Sequence, residues 1–240
     1  MQLNIKLLSD TAPGSGEGAG SNIDRDIMFD SFGLPYIPAR RLKGCLREAA
    51  LEVSEALSMS HKDLEVFFES GRKDDKDSII NKLFGVPGAA VSGWLELDDA
   101  QLENASILKS WLEWAKDPSR LDTQKFFRQE AILDCFTGTR AQTAISRTQG
   151  SAKDNSLRVS RVIKRKERFV VKLIINCPVE KQNETRRALA LACTALHHIG
   201  LSRNRGLGEV SVILSDETNQ NWNAAAVREL ADSINGLQGA

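Results

Sequence analysis

The sequence predicts an α+β fold of the ferredoxin-like type, and three observations lead to this prediction. Apolar residues alternate with polar ones, or run together, in four segments that we interpret as strands: residues 3–8, 91–97, 169–175 and 209–214. Residues 41–53 and 184–199 repeat their apolar side chains at helical spacings of three and four. In chain order these segments read strand, helix, strand, strand, helix, strand, which is the ferredoxin-like order.

The remaining segments are predicted to be additions to this core. We assign the core to residues 1–57, 91–97 and 168–214, and helical insertions to residues 61–90 and 105–135 with a break at Pro118. Residues 136–165 form a protruding arm, and residues 221–234 a C-terminal helix. The helical spacing of four aromatic side chains predicts that they pack in the core: Trp111, Trp114, Phe126 and Phe127.

Charge is balanced over the whole chain but is unevenly distributed. Lys+Arg and Asp+Glu both number 32, yet residues 136–172 hold ten Lys/Arg and two acids. One surface is therefore expected to face a polyanion, on an otherwise acidic body.

The cysteines and the apolar segments predict the cellular compartment of the protein. Cys45, Cys135, Cys177 and Cys193 have no metal-ligand spacing, so we expect buried free thiols in a reducing compartment. The sequence shows neither a signal-peptide pattern nor an apolar run of membrane length, and a cytoplasmic protein is expected.

A glycine loop at residues 200–208 is the first candidate binding element. Gly200 falls where a helix C-cap is expected, and Gly206 and Gly208 permit close approach of the backbone to a ligand. Arg203 and Arg205 lie on the same loop, and their guanidinium groups match phosphate oxygens. The alternative is a helix-to-strand turn with two solvated arginines.

Three aspartates follow an earlier glycine-rich segment, residues 13–20, which matches neither a P-loop nor a dinucleotide-binding pattern. Asp24, Asp26 and Asp30 are separated by two and four residues, which places them on one face of an extended segment. Such carboxylates act as a general base, hold a metal, or cap turns.

Two further basic groups are candidates for contacts to a ligand. The first turns of a predicted helix hold four basic residues: Arg40, Arg41, Lys43 and Arg47. Cations at this end oppose the helix dipole. We therefore expect that these residues either contact a ligand or form an exposed charged face. The arm is predicted to be a hairpin with its turn near residues 150–155, or else a disordered insertion. The arginines expected to line it are Arg140, Arg147, Arg158 and Arg161.

Four sequence blocks carry a resemblance to a known family. They are residues 14–18 with 23–26, residues 33–47, residues 143–147 with 157–162, and the glycine loop 200–208. With these blocks the chain resembles a RAMP-superfamily subunit of a type III CRISPR–Cas effector complex, most like the III-D backbone subunits. Ala39 departs from the glycine that the family often has, and Ser146 from a common acid.

The resemblance implies a ferredoxin-like (RRM-like) palm with a β-hairpin thumb. It also implies stacking with other type III subunits along a CRISPR RNA, with each thumb pushed between bases of the guide–target duplex. The partners are then CRISPR RNA, target RNA and other type III effector subunits, with no membrane partner.

The resemblance also assigns roles to particular residues. Asp24 matches the family's aspartate for cutting target RNA, Asp26 is the alternative, and a Mg²⁺ ion shared with RNA phosphates is the expected cofactor. The expected RNA-binding residues are Arg40, Arg41, Lys43, Arg47, Arg140, Arg147, Arg158, Arg161, Ser202, Arg203, Arg205 and Gly206. Two alternatives stay open: a non-catalytic subunit that caps the 5′ tag of the guide, and a guide-processing endoribonuclease using His61, His197 or His198.

Overall fold

A computed structural model describes residues 1–14, 23–60, 78–86, 88, 92–117, 127–146, 148, 150–153, 156–218 and 220–238. Its main antiparallel sheet contains β1 (Gln2–Leu7), β2 (Leu95–Leu97), β3 (Gln101–Leu102), β6 (Arg168–Ile175) and β7 (Val210–Ser215). A second, two-stranded sheet is formed by β4 (Thr137–Gln142) and β5 (Arg158–Ile163). The helices in these ranges are α1 (Ala39–Ser60), α2 (Ile79–Phe84), α3 (Ala105–Ala115), α4 (Gln129–Phe136), α5 (Gln182–Ala195) and α6 (Trp222–Gln238).

The sheet confirms the predicted ferredoxin-like core. Its strands lie in the order β2–β6–β1–β7, with β3 also paired to β6. The first strand of the chain is therefore central, and Ile5 lies between Phe169 of β6 and Val212 of β7. Helices α1 and α5 follow β1 and β6, and these two helices contact each other. The order strand, helix, strand, strand, helix, strand is thus realised in one antiparallel sheet.

One face of the sheet builds the core, because alternate residues of each strand point to the same side. Leu3, Ile5 and Leu7 of β1 are buried, whereas Lys6 is exposed. The neighbouring strands follow the same alternation, and the helices add apolar side chains to the same cluster, including Leu42, Leu46, Leu189, Leu191 and Cys193. Helix α6 packs on α5 and β7, where the Arg186 guanidinium lies 4.7 Å from the centre of the Trp222 ring.

The helical insertions differ in detail from the sequence prediction. Residues 61–77 and 118–126, including Pro118 and Phe126, lie outside the described residues. The prediction that Trp111 and Trp114 pack in the core is wrong: they are 63% and 53% exposed. They form an edge-to-face pair with ring centres 5.8 Å apart, because the buried side of α3 is taken by Ala105, Leu112 and Ala115.

The arm is a β-hairpin, as predicted. Strands β4 and β5 pair from Thr137↔Ile163 to Gln142↔Arg158. Beyond them the pairing continues at Ile145↔Ala152, and the Lys153 N–H donates to the Ala144 carbonyl over 2.8 Å. Because the hairpin is held by backbone hydrogen bonds and its outer part is exposed, it presents its side chains to the surroundings.

The expectation that all four cysteines are buried needs correction. The four cysteines are free, but Cys193 is buried, Cys45 and Cys177 are half-buried and Cys135 is exposed. Within the part of the chain that the structure describes, no helix has the length and apolar character needed to span a membrane.

Candidate functional site

The glycine loop and the segment that follows β1, which are far apart in the chain, form one wall of the site. The Leu201 N–H donates to the Ala12 carbonyl over 2.8 Å, and the Gly208 N–H donates to the Asp10 carbonyl over 2.9 Å. A Cβ on Gly200, whose φ is +84°, would lie 2.3 Å from the Ala12 oxygen. Glycine is required there because the two backbones are in direct contact. The glycine loop 200–208 is therefore fixed to the segment that follows β1.

A cleft of about 1070 Å³ lies between this loop, α1 and the base of the hairpin. Four arginines line it, together with two glutamates and two histidines: Arg25, Arg158, Arg203, Arg205, Glu48, Glu52, His197 and His198. The arginines provide hydrogen-bond donors for phosphate groups, and the glutamates balance part of the positive charge of these arginines.

The glycine loop is tied to both other walls of the cleft through its arginines. The Arg203 guanidinium lies 3.0 Å from a carboxylate oxygen of Glu48 on α1, and this hydrogen bond raises the pKa of Arg203. Arg205 donates to the Gln142 amide oxygen of β4 over 2.8 Å. Ser202, which precedes Arg203, has a left-handed backbone with φ of 60°. Gly206 has φ of +77°, and no atom lies within 4 Å of the position a Cβ would take.

Asp24 lies at the base of the hairpin, on a short extended segment paired with β5. Its N–H donates to the Val159 carbonyl over 2.9 Å. One carboxylate oxygen accepts the Val159 N–H over 2.7 Å, and the other lies 3.2 Å from the Arg158 guanidinium. The Val159 hydrogen bond lowers the pKa of Asp24 and outweighs the opposing effect of burial. With 36% of its side chain exposed, Asp24 is a charged and accessible carboxylate.

The other two aspartates have different surroundings. The Asp26 side chain is 7% exposed and lies 3.0 Å from Nε of Arg161. Asp30 caps a turn: its Oδ1 accepts the N–H groups of Phe32 and Leu34 over 2.9 and 3.0 Å. Among the described residues no three His, Cys, Asp or Glu side chains come together as a metal site.

The predicted basic residues of α1 do not form one patch. The Lys43 ammonium donates to the Leu95 carbonyl over 2.7 Å, and Arg47 donates to the Asn81 amide oxygen over 3.0 Å. Arg40 lines a different cavity of about 790 Å³, whereas Arg41 is exposed beside the loop after β1. The N-terminus of α1 is instead capped by an acid from another segment: Asp99 accepts the Ala39 N–H over 2.7 Å.

Each described arginine of the hairpin faces a carboxylate of the segment that follows β1. Arg140 is ion-paired with Asp10, Arg158 with Asp24 and Arg161 with Asp26. Arg147 lies outside the described residues. The hairpin base is therefore joined to residues 10–26 by a row of ion pairs.

Sequence reasoning missed Arg25. Arg25 alternates with Asp24 and Asp26, so in an extended segment its side chain points away from theirs and into the cleft. Its position between the two candidate carboxylates Asp24 and Asp26 could have identified it as a site residue from sequence. His197 and His198 are both exposed, because α5 ends at Ala195 and the chain continues in extended form to a bridge between His198 and Glu209.

Comparisons with known proteins agree with this architecture. Two of the similar solved structures are each 14% identical to this chain, and the matches cover 88% of this chain and 95% of theirs. One is described as the type III-B Cmr-beta apo state, with a TM-score of 0.55, and the other as type III-B Cmr-beta bound to cognate target RNA, with a TM-score of 0.54. A comparison with curated protein sequences gives no match. The family model of the RAMP superfamily matches residues 4–211, and the chain therefore belongs to the RAMP superfamily.

Proposed function

We propose that this protein is a backbone subunit of a type III CRISPR ribonucleoprotein, binding CRISPR RNA and cutting complementary target RNA with Asp24. The observation that carries the proposal is the position of Asp24: an exposed, charged carboxylate at the base of the hairpin and beside the arginine-lined cleft. Membership of the RAMP superfamily and the likeness to Cmr-beta structures, one of them bound to target RNA, support the same assignment.

The cleft is the proposed RNA surface. Arg25, Arg158 and Arg205 are exposed there. Bound phosphates would replace Asp24 and Gln142, which now accept hydrogen bonds from Arg158 and Arg205. Gly206 leaves open space at the loop tip, so an RNA backbone can approach the main chain directly. These contacts read phosphate and ribose rather than base edges, which suits a subunit that must accept any guide sequence.

The proposed chemistry follows from a carboxylate that is charged at neutral pH. Asp24 would accept the proton of a ribose 2′-OH in an unstacked target nucleotide, and the 2′ oxygen would attack the adjacent phosphorus. The bond from phosphorus to the 5′ oxygen breaks, and that oxygen takes a proton from water. The products are a 2′,3′-cyclic phosphate and a 5′-hydroxyl end. Cleft arginines would stabilise the charge on the phosphoryl oxygens.

Asp24 also fits the expected Mg²⁺ ion in one respect. Mg²⁺ is often held by one or two carboxylates together with substrate phosphates, so a single exposed carboxylate is a sufficient protein contribution. When bound, the ion would neutralise charge on the phosphate.

The test compares wild type with Asp24→Asn in the complex assembled with guide RNA, using a labelled complementary RNA. We expect regularly spaced cuts to disappear while the target is still bound. Asp216→Asn is the matched control, because Asp216 is another partly exposed carboxylate that accepts backbone N–H groups, those of Thr218 and Gln220. Cuts that persist in Asp24→Asn would contradict the proposal.

The exposed histidines favour one second candidate. His197 and His198 both line the cleft, which is where a guide-processing endoribonuclease would need them. Cutting of repeat RNA by the isolated protein, abolished by a His197→Ala or His198→Ala substitution, would support that function instead.

A further inference from the structure

The segment around Asp24 is part of the hairpin sheet, although in sequence it belongs to the loop after β1. The Asp24 N–H donates to the Val159 carbonyl over 2.9 Å, and the Arg161 N–H donates to the Arg25 carbonyl over 2.9 Å. Arg25 and Ser160 form a parallel bridge. Residues 24–26 therefore lie along β5 as a short third strand, and Asp24 is placed by the hairpin more than by the palm.

One buried ion pair anchors this strand. Nε of Arg161 lies 3.0 Å from Oδ1 of Asp26, and the two side chains are 17% and 7% exposed. The same oxygen accepts the Ile27 N–H over 2.8 Å. Arg161 also lies 3.5 Å from Asp134 of α4, so its guanidinium is held between two acids. A buried pair of this kind strongly resists separation, because removing Arg161 would leave the buried charge of Asp26 without a counter-charge.

The pair contrasts with the one that Asp24 makes. Arg158 is 70% exposed, so its contact with Asp24 is open to solvent and to competing phosphates, whereas the contact of Arg161 with Asp26 is shielded. The exposed pair can exchange partners when RNA arrives; the buried pair cannot do so without a cost.

We infer that Asp26 is a positioning residue for cleavage: its buried ion pair with Arg161 fixes residues 24–26 on β5 and thereby holds the Asp24 carboxylate at the hairpin. This inference rests on the proposed function of Asp24. It assigns separate roles to two acids that sequence alone left as alternative catalysts, and it gives Arg161 a protein carboxylate as partner in place of an RNA phosphate.

The experiment uses the complex assembled with guide RNA and measures single-turnover cleavage of a saturating labelled target, with target Kd measured separately. Asp26→Asn and Arg161→Gln are each expected to lower the cleavage rate about tenfold and to change the target Kd less than about threefold, since they disturb positioning and not binding. The double variant is expected to be no slower than the worse single variant, because both changes remove the same pair. Arg161→Lys keeps the charge and is expected to recover part of the rate.

A second measurement does not depend on cleavage. Amide hydrogen exchange in the assembled complex is expected to quicken at residues 24–26 and 159–161 in Asp26→Asn and in Arg161→Gln, and to stay unchanged in Arg187→Gln. That control removes an ion pair between α5 and α6, where Arg187 lies 3.5 Å from Glu229. Faster exchange in the first two variants alone supports the anchoring role even if a variant cuts too slowly to be measured.

Three outcomes would overturn the inference. Rate losses that multiply in the double variant mean that the two residues act separately. A loss in Asp26→Asn as complete as in Asp24→Asn, with Arg161→Gln cutting normally, makes Asp26 itself catalytic. Unchanged exchange at residues 24–26 shows that the pair anchors nothing. Persistent cutting by Asp24→Asn would instead remove the proposed function, and that result is separate from all three.

Discussion

Substituting alanine at two glycines of the same loop separates the effect of backbone conformation from that of close contact. Gly206 and Gly208 have nearly equal φ values of +77° and +82°. No atom lies within 4 Å of a Cβ built on Gly206, whereas a Cβ on Gly208 would lie 2.1 Å from the Ile199 carbonyl oxygen. Gly206→Ala therefore tests the left-handed conformation alone, and Gly208→Ala adds a backbone collision.

The expected magnitudes follow from these contacts. A left-handed conformation costs a non-glycine residue about 1–2 kcal/mol, so Gly206→Ala should reduce the free energy of unfolding by about that amount. In Gly208→Ala the Ile199 carbonyl must move, and this strains the 2.8 Å hydrogen bond from the Ile199 N–H to the Gly208 carbonyl. Loss of that bond and displacement of its neighbours add about 1–3 kcal/mol.

Thermal and guanidinium unfolding of the purified chain measure both effects. At about 2–4 °C of Tm per kcal/mol for a chain of this size, Gly206→Ala should lower Tm by a few degrees and Gly208→Ala by roughly twice as much. Equal shifts in the two variants would refute the argument from contact, and a larger shift in Gly206→Ala would refute the geometry of the loop.

Three further predictions concern charge, thiols and the core. Partial burial opposes the charged form of Asp10, but the Arg140 side chain and the Arg165 N–H outweigh it and lower its pKa below 3.8. Asp10→Asn should thus destabilise the protein by less than about 1 kcal/mol at pH 7, because Arg140 is largely exposed. In unfolding measurements over a series of pH values, the difference in stability from wild type should vanish as pH falls through the lowered pKa of Asp10. A maleimide reagent should label exposed Cys135 and leave Cys193 unlabelled in the folded chain, because burial raises the pKa of the Cys193 thiol. Mass spectrometry of peptides identifies the labelled cysteines, and labelling of Cys193 before unfolding would contradict this prediction. Phe169→Ala should cost about 3–5 kcal/mol of unfolding free energy, since Phe169 is fully buried; a loss below about 1 kcal/mol would show that its site is not packed as described.

The core order was predictable from sequence because each element carries its own periodicity. Strand β6 and helix α1 are long and regular enough to be recognised without tertiary information. Strand β3, Gln101–Leu102, was not predicted, since two residues show no period. Trp111 and Trp114 were misplaced for a related reason: helical spacing shows that side chains share a face, and does not show which face is buried.

The site was predictable only in part. The resemblance singled out Asp24, and the glycine loop was evident from its composition. The pairing of Asp24 with Val159 joins residues 135 positions apart, and no local pattern encodes such a contact. Likewise, the separation of Lys43 and Arg47 from the cleft depends on the neighbours Leu95 and Asn81, which reach α1 only in the folded chain.

The central position of β1 has a consequence for synthesis of the protein on the ribosome. This strand is made long before both of its neighbours, β6 and β7, which begin at Arg168 and Val210. Its two edges therefore remain without their partners in the nascent chain until β6 and β7 have been synthesised. The alternating apolar side chains of β1 make such edges prone to pairing with other chains. The nascent chain is therefore most prone to aggregation after β1 has been synthesised and before β6 is available to pair with it.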